Sequence, residues 1–122
     1  MAAAMILSAV LAAQSAQLAN IPDGTDQADA AYEQLAAGDT ATAISHLEQA
    51  LSKTPGDPAL LINLGTAYAR AGRMEEARDA FRAAIASEDR YRVELADGTW
   101  EDSRRVARLA LDSLDRTAFA AK

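Results

Sequence analysis

Apolar positions in this 122-residue chain fall into blocks of helical spacing that return 34 residues later. Ala28, Ala31, Tyr32 and Leu35 stand at i, i+3, i+4 and i+7, which predicts a helix over about residues 26–37. Gly38 ends it where a left-handed residue is wanted, and Asp39 or Thr40 then caps a second helix reaching about Ser52. Its buried stripe is Ala43, Ile44, Leu47, Ala50 and Leu51. The Thr54-Pro-Gly-Asp-Pro58 stretch closes this hairpin, because proline cannot sit in a helix interior.

One period later the pattern starts again. Asp57 followed by Pro58 predicts a capped start for a third helix, which runs to about Ala71 and presents Leu61, Leu64, Ala67 and Tyr68. Gly72 stops it, and a fourth helix over about Met74–Ser87 carries Met74, Ala77, Phe81, Ala84 and Ile85. Across the period Gly38 recurs as Gly72, Ala43 as Ala77 and Ala50 as Ala84, while Leu47 becomes Phe81 and Leu51 becomes Ile85. Bulk is kept where identity is not. A period of this length marks a helical-hairpin unit that buries its apolar face on its neighbour.

Past the repeats, Tyr91, Val93 and Leu95 alternate with polar residues, which predicts a short extended segment, and Asp97-Gly98 predicts a tight turn. Thr99 to Asp102 has the form of a capping box with aspartate in place of glutamate. A long helix is expected from about Trp100 to Ala120, with Trp100, Val106, Ala107, Ala110 and Leu114 on its inner stripe. A repeat array needs such a terminal cap.

The segment Asn63-Leu-Gly-Thr-Ala-Tyr68, followed by Gly72-Arg-Met-Glu-Glu-Ala77 and Phe81, resembles the tetratricopeptide repeat. Leu61, Leu64, Gly65, Tyr68, Ala77, Phe81 and Ala84 fill its signature small and large positions. The resemblance spans residues 24–90 as two repeats, about 24–57 and 58–90, with residues 91–122 as the capping region. In the first repeat Gln27, Ala30, Ala31 and Gln34 depart from the pattern, and Asp89 replaces the closing proline of the second. The resemblance implies an all-α fold of antiparallel helix pairs in a right-handed superhelix, binding proteins or extended peptides and usually without catalysis. It also implies a concave face lined by Ala28, Tyr32 and Leu35 and by Ile62, Thr66, Ala69 and Arg70, with Asn63 placed to hold a ligand's backbone. An amide side chain suits that task, since it both donates and accepts.

The N-terminus reads differently. No charge precedes Asp23, and Ala2 to Ala13 is apolar except for Ser8, followed by small and polar residues. This resembles a secretory signal peptide over residues 1–19, with cleavage points after Ser15, Ala16 or Ala19 and a linker over 20–25. The run is short of the roughly 20 apolar residues that span a bilayer. No lysine or arginine stands ahead of it. The rival reading is an alanine-rich helix packed on the first repeat. Export is the reading taken, with the product in the periplasm or cell envelope, and residues 26–122 as one domain.

Composition narrows the chemistry. With no cysteine, disulfides, thiolate metal sites and cysteine nucleophiles are excluded. Ten of the twelve bases are arginine, which beside so much alanine points to a GC-rich bacterial genome. The net charge is −6, and residues 1–61 hold Lys53 alone against seven acids, which argues against a nucleic-acid partner. His46 is the only histidine, too isolated for a zinc site. Glu75 and Glu76 fall in the first turn of a helix, where acids favour the dipole. Arg104 and Arg108 share a helix face and could hold a carboxylate or phosphate, but Glu101–Arg105 and Arg108–Asp112 offer intrahelical pairing instead.

Together these features predict a non-catalytic interaction module without cofactor or metal, binding through Tyr32, Leu35, Ile62, Asn63, Thr66 and Arg70. The alternative is a homodimer formed through the open first repeat. N-terminal sequencing of the protein from its own cell should begin between Ala16 and Asn20; intact Met1 in the cytosol would overturn export.

Overall fold

A computed structural model describes residues 3–7, 15–19, 31, 33–95 and 99–120. The fold is mostly helical, with a small antiparallel sheet at one side. Strands β1 (Ala3–Leu7) and β2 (Ser15–Ala19) come first. Helix α1 is seen at residues 31 and 33–36. Then follow α2 (Thr40–Lys53), α3 (Pro58–Arg70), α4 (Met74–Ala86), β3 (Arg92–Leu95), β4 (Trp100–Asp102) and α5 (Ser103–Ala120). The sheet order is β1-β2-β3-β4, so the helical array is inserted between two neighbouring strands. Within the N-terminal segment residues 3–7 and 15–19 pair as antiparallel strands, which differs from the alanine-rich helix of the rival reading. Ala28, Tyr32, the 20–25 linker and the Asp97-Gly98 turn lie outside the described residues.

Both glycine stops form as expected. Gly38 and Gly72 have φ of +83° and +78°, a region costly for any residue with a Cβ. At each, the next residue's N–H donates five back: Asp39 to Gln34 O and Arg73 to Tyr68 O, both at 2.8 Å. Asp57 caps α3, its carboxylate accepting from Ala59 N at 2.9 Å. Asp39 occupies the cap position of α2 but makes no side-chain cap hydrogen bond.

The start of α5 differs from expectation. Residues 100–102 are strand, and the helix begins at Ser103, with Asp102 Oδ1 accepting from Arg104 N at 2.7 Å. The capping residue is therefore Asp102 and not Thr99. Pairing of Glu94 with Trp100 holds residue 100 in the sheet, which leaves the Trp100 side chain partly exposed rather than on the inner stripe. Val106, Ala107, Ala110 and Leu114 do form that stripe.

The core centres on α3, where every residue from Pro58 to Ala69 is buried. It packs against α2, α4, α5 and β1. α3 and α4 cross at Gly65, where an added Cβ would stand 2.5 Å from Phe81 Cε1 and 2.9 Å from Cζ. Phe81 and Ala77 are fully buried, so neither helix can step back freely.

Gly65→Ala should therefore destabilise the protein. Better helix propensity offers at most about 1 kcal/mol, against about 1–3 kcal/mol for overpacking a filled contact. Chemical denaturation would show the net loss, and Phe81→Leu should partly rescue it in the double variant. Strict additivity would mean the two residues do not touch.

Candidate functional site

The residues assigned to a concave face are brought together on α1 and α3, but they do not line an open groove. Leu35 is 0% exposed, Ile62 1%, Asn63 0% and Thr66 1%. β1 packs against α3, as do α2, α4 and α5, and these four residues are buried among them. Thr66 Oγ1 donates to Ile62 O at 3.0 Å, a bond within its own helix. Arg70 is the exposed member, and its Nη1 donates to Leu35 O at 2.8 Å. Neither Asn63 nor Arg70 is thus independent of the fold. Tyr32 lies outside the described residues.

A polar cluster ties α3 to its other neighbours. The Tyr68 hydroxyl donates to Glu48 Oε2 at 2.6 Å, and the Arg73 guanidinium lies 4.6 Å from the Tyr68 ring centre. Arg73 also holds Glu76, at 2.7 and 2.5 Å. Burial and then the Glu48 hydrogen bond push the Tyr68 phenol up to about 12. Glu75 pairs with Arg78 at 2.7 Å, and Arg78 bridges α4 to Asp115 of α5 at 2.8 Å. Glu75 and Glu76 thus sit in the first turn, each paired to an arginine of its own helix end. His46 Nδ1 lies 2.8 Å from Gln34 Nε2 at the exposed α1–α2 contact.

The arginines group otherwise than their spacing suggests. Arg104 turns inward and donates to Ser87 O at 2.9 Å. Arg105 and Arg108 instead join Arg90, Asp102 and Leu109 around a shallow cavity of about 400 Å³. Arg90 pairs with Asp102, and Arg105 with Glu101 at 3.3 Å. Burial opposes the charge on Asp102, but the Arg90 guanidinium and the Arg104 amide hold its carboxyl below the ordinary range. The expected Arg108–Asp112 pair does not form, and Arg108 makes no ion pair among the described residues.

A network that sequence reasoning missed locks the end of the array. The Tyr91 hydroxyl donates to Asp57 Oδ1 and also accepts from Ala59 N at 2.9 Å. Ser87 Oγ donates to Gly56 O and accepts from Asp89 N at 3.1 Å. Ser103 N donates to Tyr91 O at 2.8 Å. One signal was available: Tyr91 stands one 34-residue period after Asp57, where a third hairpin would begin.

Stacked helical hairpins with glycine stops one period apart, closed by a capping helix, define a helical-repeat scaffold. The profile of the tetratricopeptide repeat matches residues 34–96, and the chain belongs to that family. No curated protein and no solved structure matches it. The family suggests a protein–protein interaction module. Among the described residues, no helix is long and apolar enough to cross a membrane.

Burial, and then the charge and hydrogen bond of Asp57, also push the Tyr91 phenol well above the ordinary tyrosine value of 10.0. Below pH 10 folded and unfolded chains both keep these two phenol protons. Above it the unfolded chain loses them first, so stability falls as pH rises through about 10 to 12. Thermal melts against pH should show that alkaline limb. Tyr91→Phe should flatten it and cost about 1–3 kcal/mol at neutral pH, because the acceptor is a carboxylate.

Proposed function

We propose that this protein is an exported bacterial interaction module that binds a protein or extended peptide on the inner face of α1 and α3. The family match over the repeats carries the reading, since their apolar faces make a scaffold and not a reaction site. The chemistry is recognition, without catalysis, cofactor or metal. The binding residues are Tyr32, Leu35, Ile62, Asn63, Thr66 and Arg70. The uncharged N-terminal segment supports export to the periplasm or envelope, with residues 1–19 removed.

Removal of that segment would matter to the site, because β1 is one of the elements packed against α3. Removing β1 would take away part of the cover of α3, the helix that carries Ile62, Asn63 and Thr66. A homodimer through the first repeat remains the rival, and light scattering on the processed chain distinguishes it from a monomer that waits for another protein.

The binding test uses a partner captured from an envelope extract and then purified. Arg70→Gln keeps an amide donor for Leu35 O while removing the charge. Affinity should fall for this variant, and fall more at low salt, because an exposed charge is screened within about 10 Å at 0.1 M. Equal affinity at both salt concentrations would move the contact to another face, with the Arg105–Arg108 cavity next in line.

A further inference from the structure

β3 is a strand with two neighbours of different standing. On one side β4 pairs with it, Arg92 with Asp102 and Glu94 with Trp100. On the other side stands β2, Ala16 opposite Leu95, Gln17 opposite Glu94 and Leu18 opposite Val93. Contacts other than those with β2 also hold it. β3 packs on α5, and Tyr91 just ahead of it is bonded to Asp57 and Ser103. Take β2 away and β3 becomes a rigid edge whose main-chain donors and acceptors lack partners. Such an edge templates another strand.

The occupant now seated there shows what the edge accepts. β1 and β2 read Ala-Ala-Met-Ile-Leu and Ser-Ala-Gln-Leu-Ala, small and apolar with no charge, and β1 lies against α3. We infer that this hairpin sits where the partner binds. The partner adds an antiparallel strand to the free edge of β3, and an uncharged, apolar stretch of it covers α3. The inference deepens the interaction reading above and rests on it: the inner face of α3 supplies apolar area, and β3 supplies the main-chain hydrogen bonds. Until it leaves, the N-terminal hairpin blocks both.

The experiment uses the full chain and a fluorescein-labelled synthetic peptide of residues 1–20. Ala16→Cys with Leu95→Cys places a cysteine pair in register across β2 and β3. Cα atoms facing each other in an antiparallel pair lie about 4.5–5.5 Å apart, within disulfide range. The natural chain has no cysteine to compete. Gln17→Pro does the opposite, since proline in the middle strand of a sheet removes a ladder bond and opens the hairpin. Opening should raise peptide affinity about ten-fold or more over the parent, because a tethered competitor acts at a high effective concentration. The oxidised cysteine variant should bind no peptide and return to the parent value on reduction.

Equal peptide affinity in all forms overturns the inference, and so does absence of binding by a Gln17→Pro chain that keeps its helical circular dichroism. If that variant unfolds, the oxidised and reduced forms decide alone, and a ratio of one overturns it. The two readings fail separately. A captured partner that binds parent, locked and opened chains alike refutes strand addition while the interaction module stands. Peptide binding by the opened chain without any partner captured leaves the edge real and the proposed function refuted.

Discussion

Everything in this fold is arranged around a helix that cannot face water. α3 has no polar side: from Pro58 to Ala69 each residue is buried, Asn63 and Thr66 included. A helix apolar all round is stable only when each side is covered. α2, α4, α5 and β1 each cover part of it. The closest approach, Phe81 against Gly65, fixes how α4 lies across it, and only the absence of a side chain permits that contact.

Closing the array is a polar problem as much as an apolar one. A third hairpin would begin one period after Asp57, but Asp89 stands where the proline belongs and the chain turns extended instead. Tyr91 then reaches back to the cap of α3, and Ser87 to Gly56. The same carboxylate that starts α3 thus also anchors the segment that ends the repeats. α5 is laid over α4 by Val106, Ala107, Ala110 and Leu114, and its arginines are divided by that placement. Arg104 is drawn in to Ser87, and Arg105 and Arg108 are left facing solvent beside Arg90.

The proposed recognition surface would follow from the same constraint. One of the elements covering α3 is β1, an uncharged strand of the N-terminus. In the proposed strand addition, main-chain pairing to β3 adds direction to an otherwise unspecific apolar contact.

Much of this was legible in the order of residues. Glycines at Gly38 and Gly72, the Asp57-Pro58 start and the small–large alternation of Ala77, Phe81 and Ala84 act within one turn or one hairpin. Their consequences are local and can be read from spacing. The 34-residue period then implied stacking, and the family followed from it. Other features depend on partners distant in sequence. Trp100 scans as the start of a helix, yet cross-strand pairing with Glu94 keeps it extended. Leu35, Ile62, Asn63 and Thr66 scan as a groove, yet whether a helix face is open depends on what else the chain can lay across it. Tyr91 carries no local sign of its bond to Asp57, because a hydroxyl's partner is chosen by packing and not by its neighbours in the chain. Sequence determined the helices, their stops and their repeat, since those rest on short-range backbone preferences. Tertiary structure alone decided which face stayed covered, because burial is a property of the assembled whole.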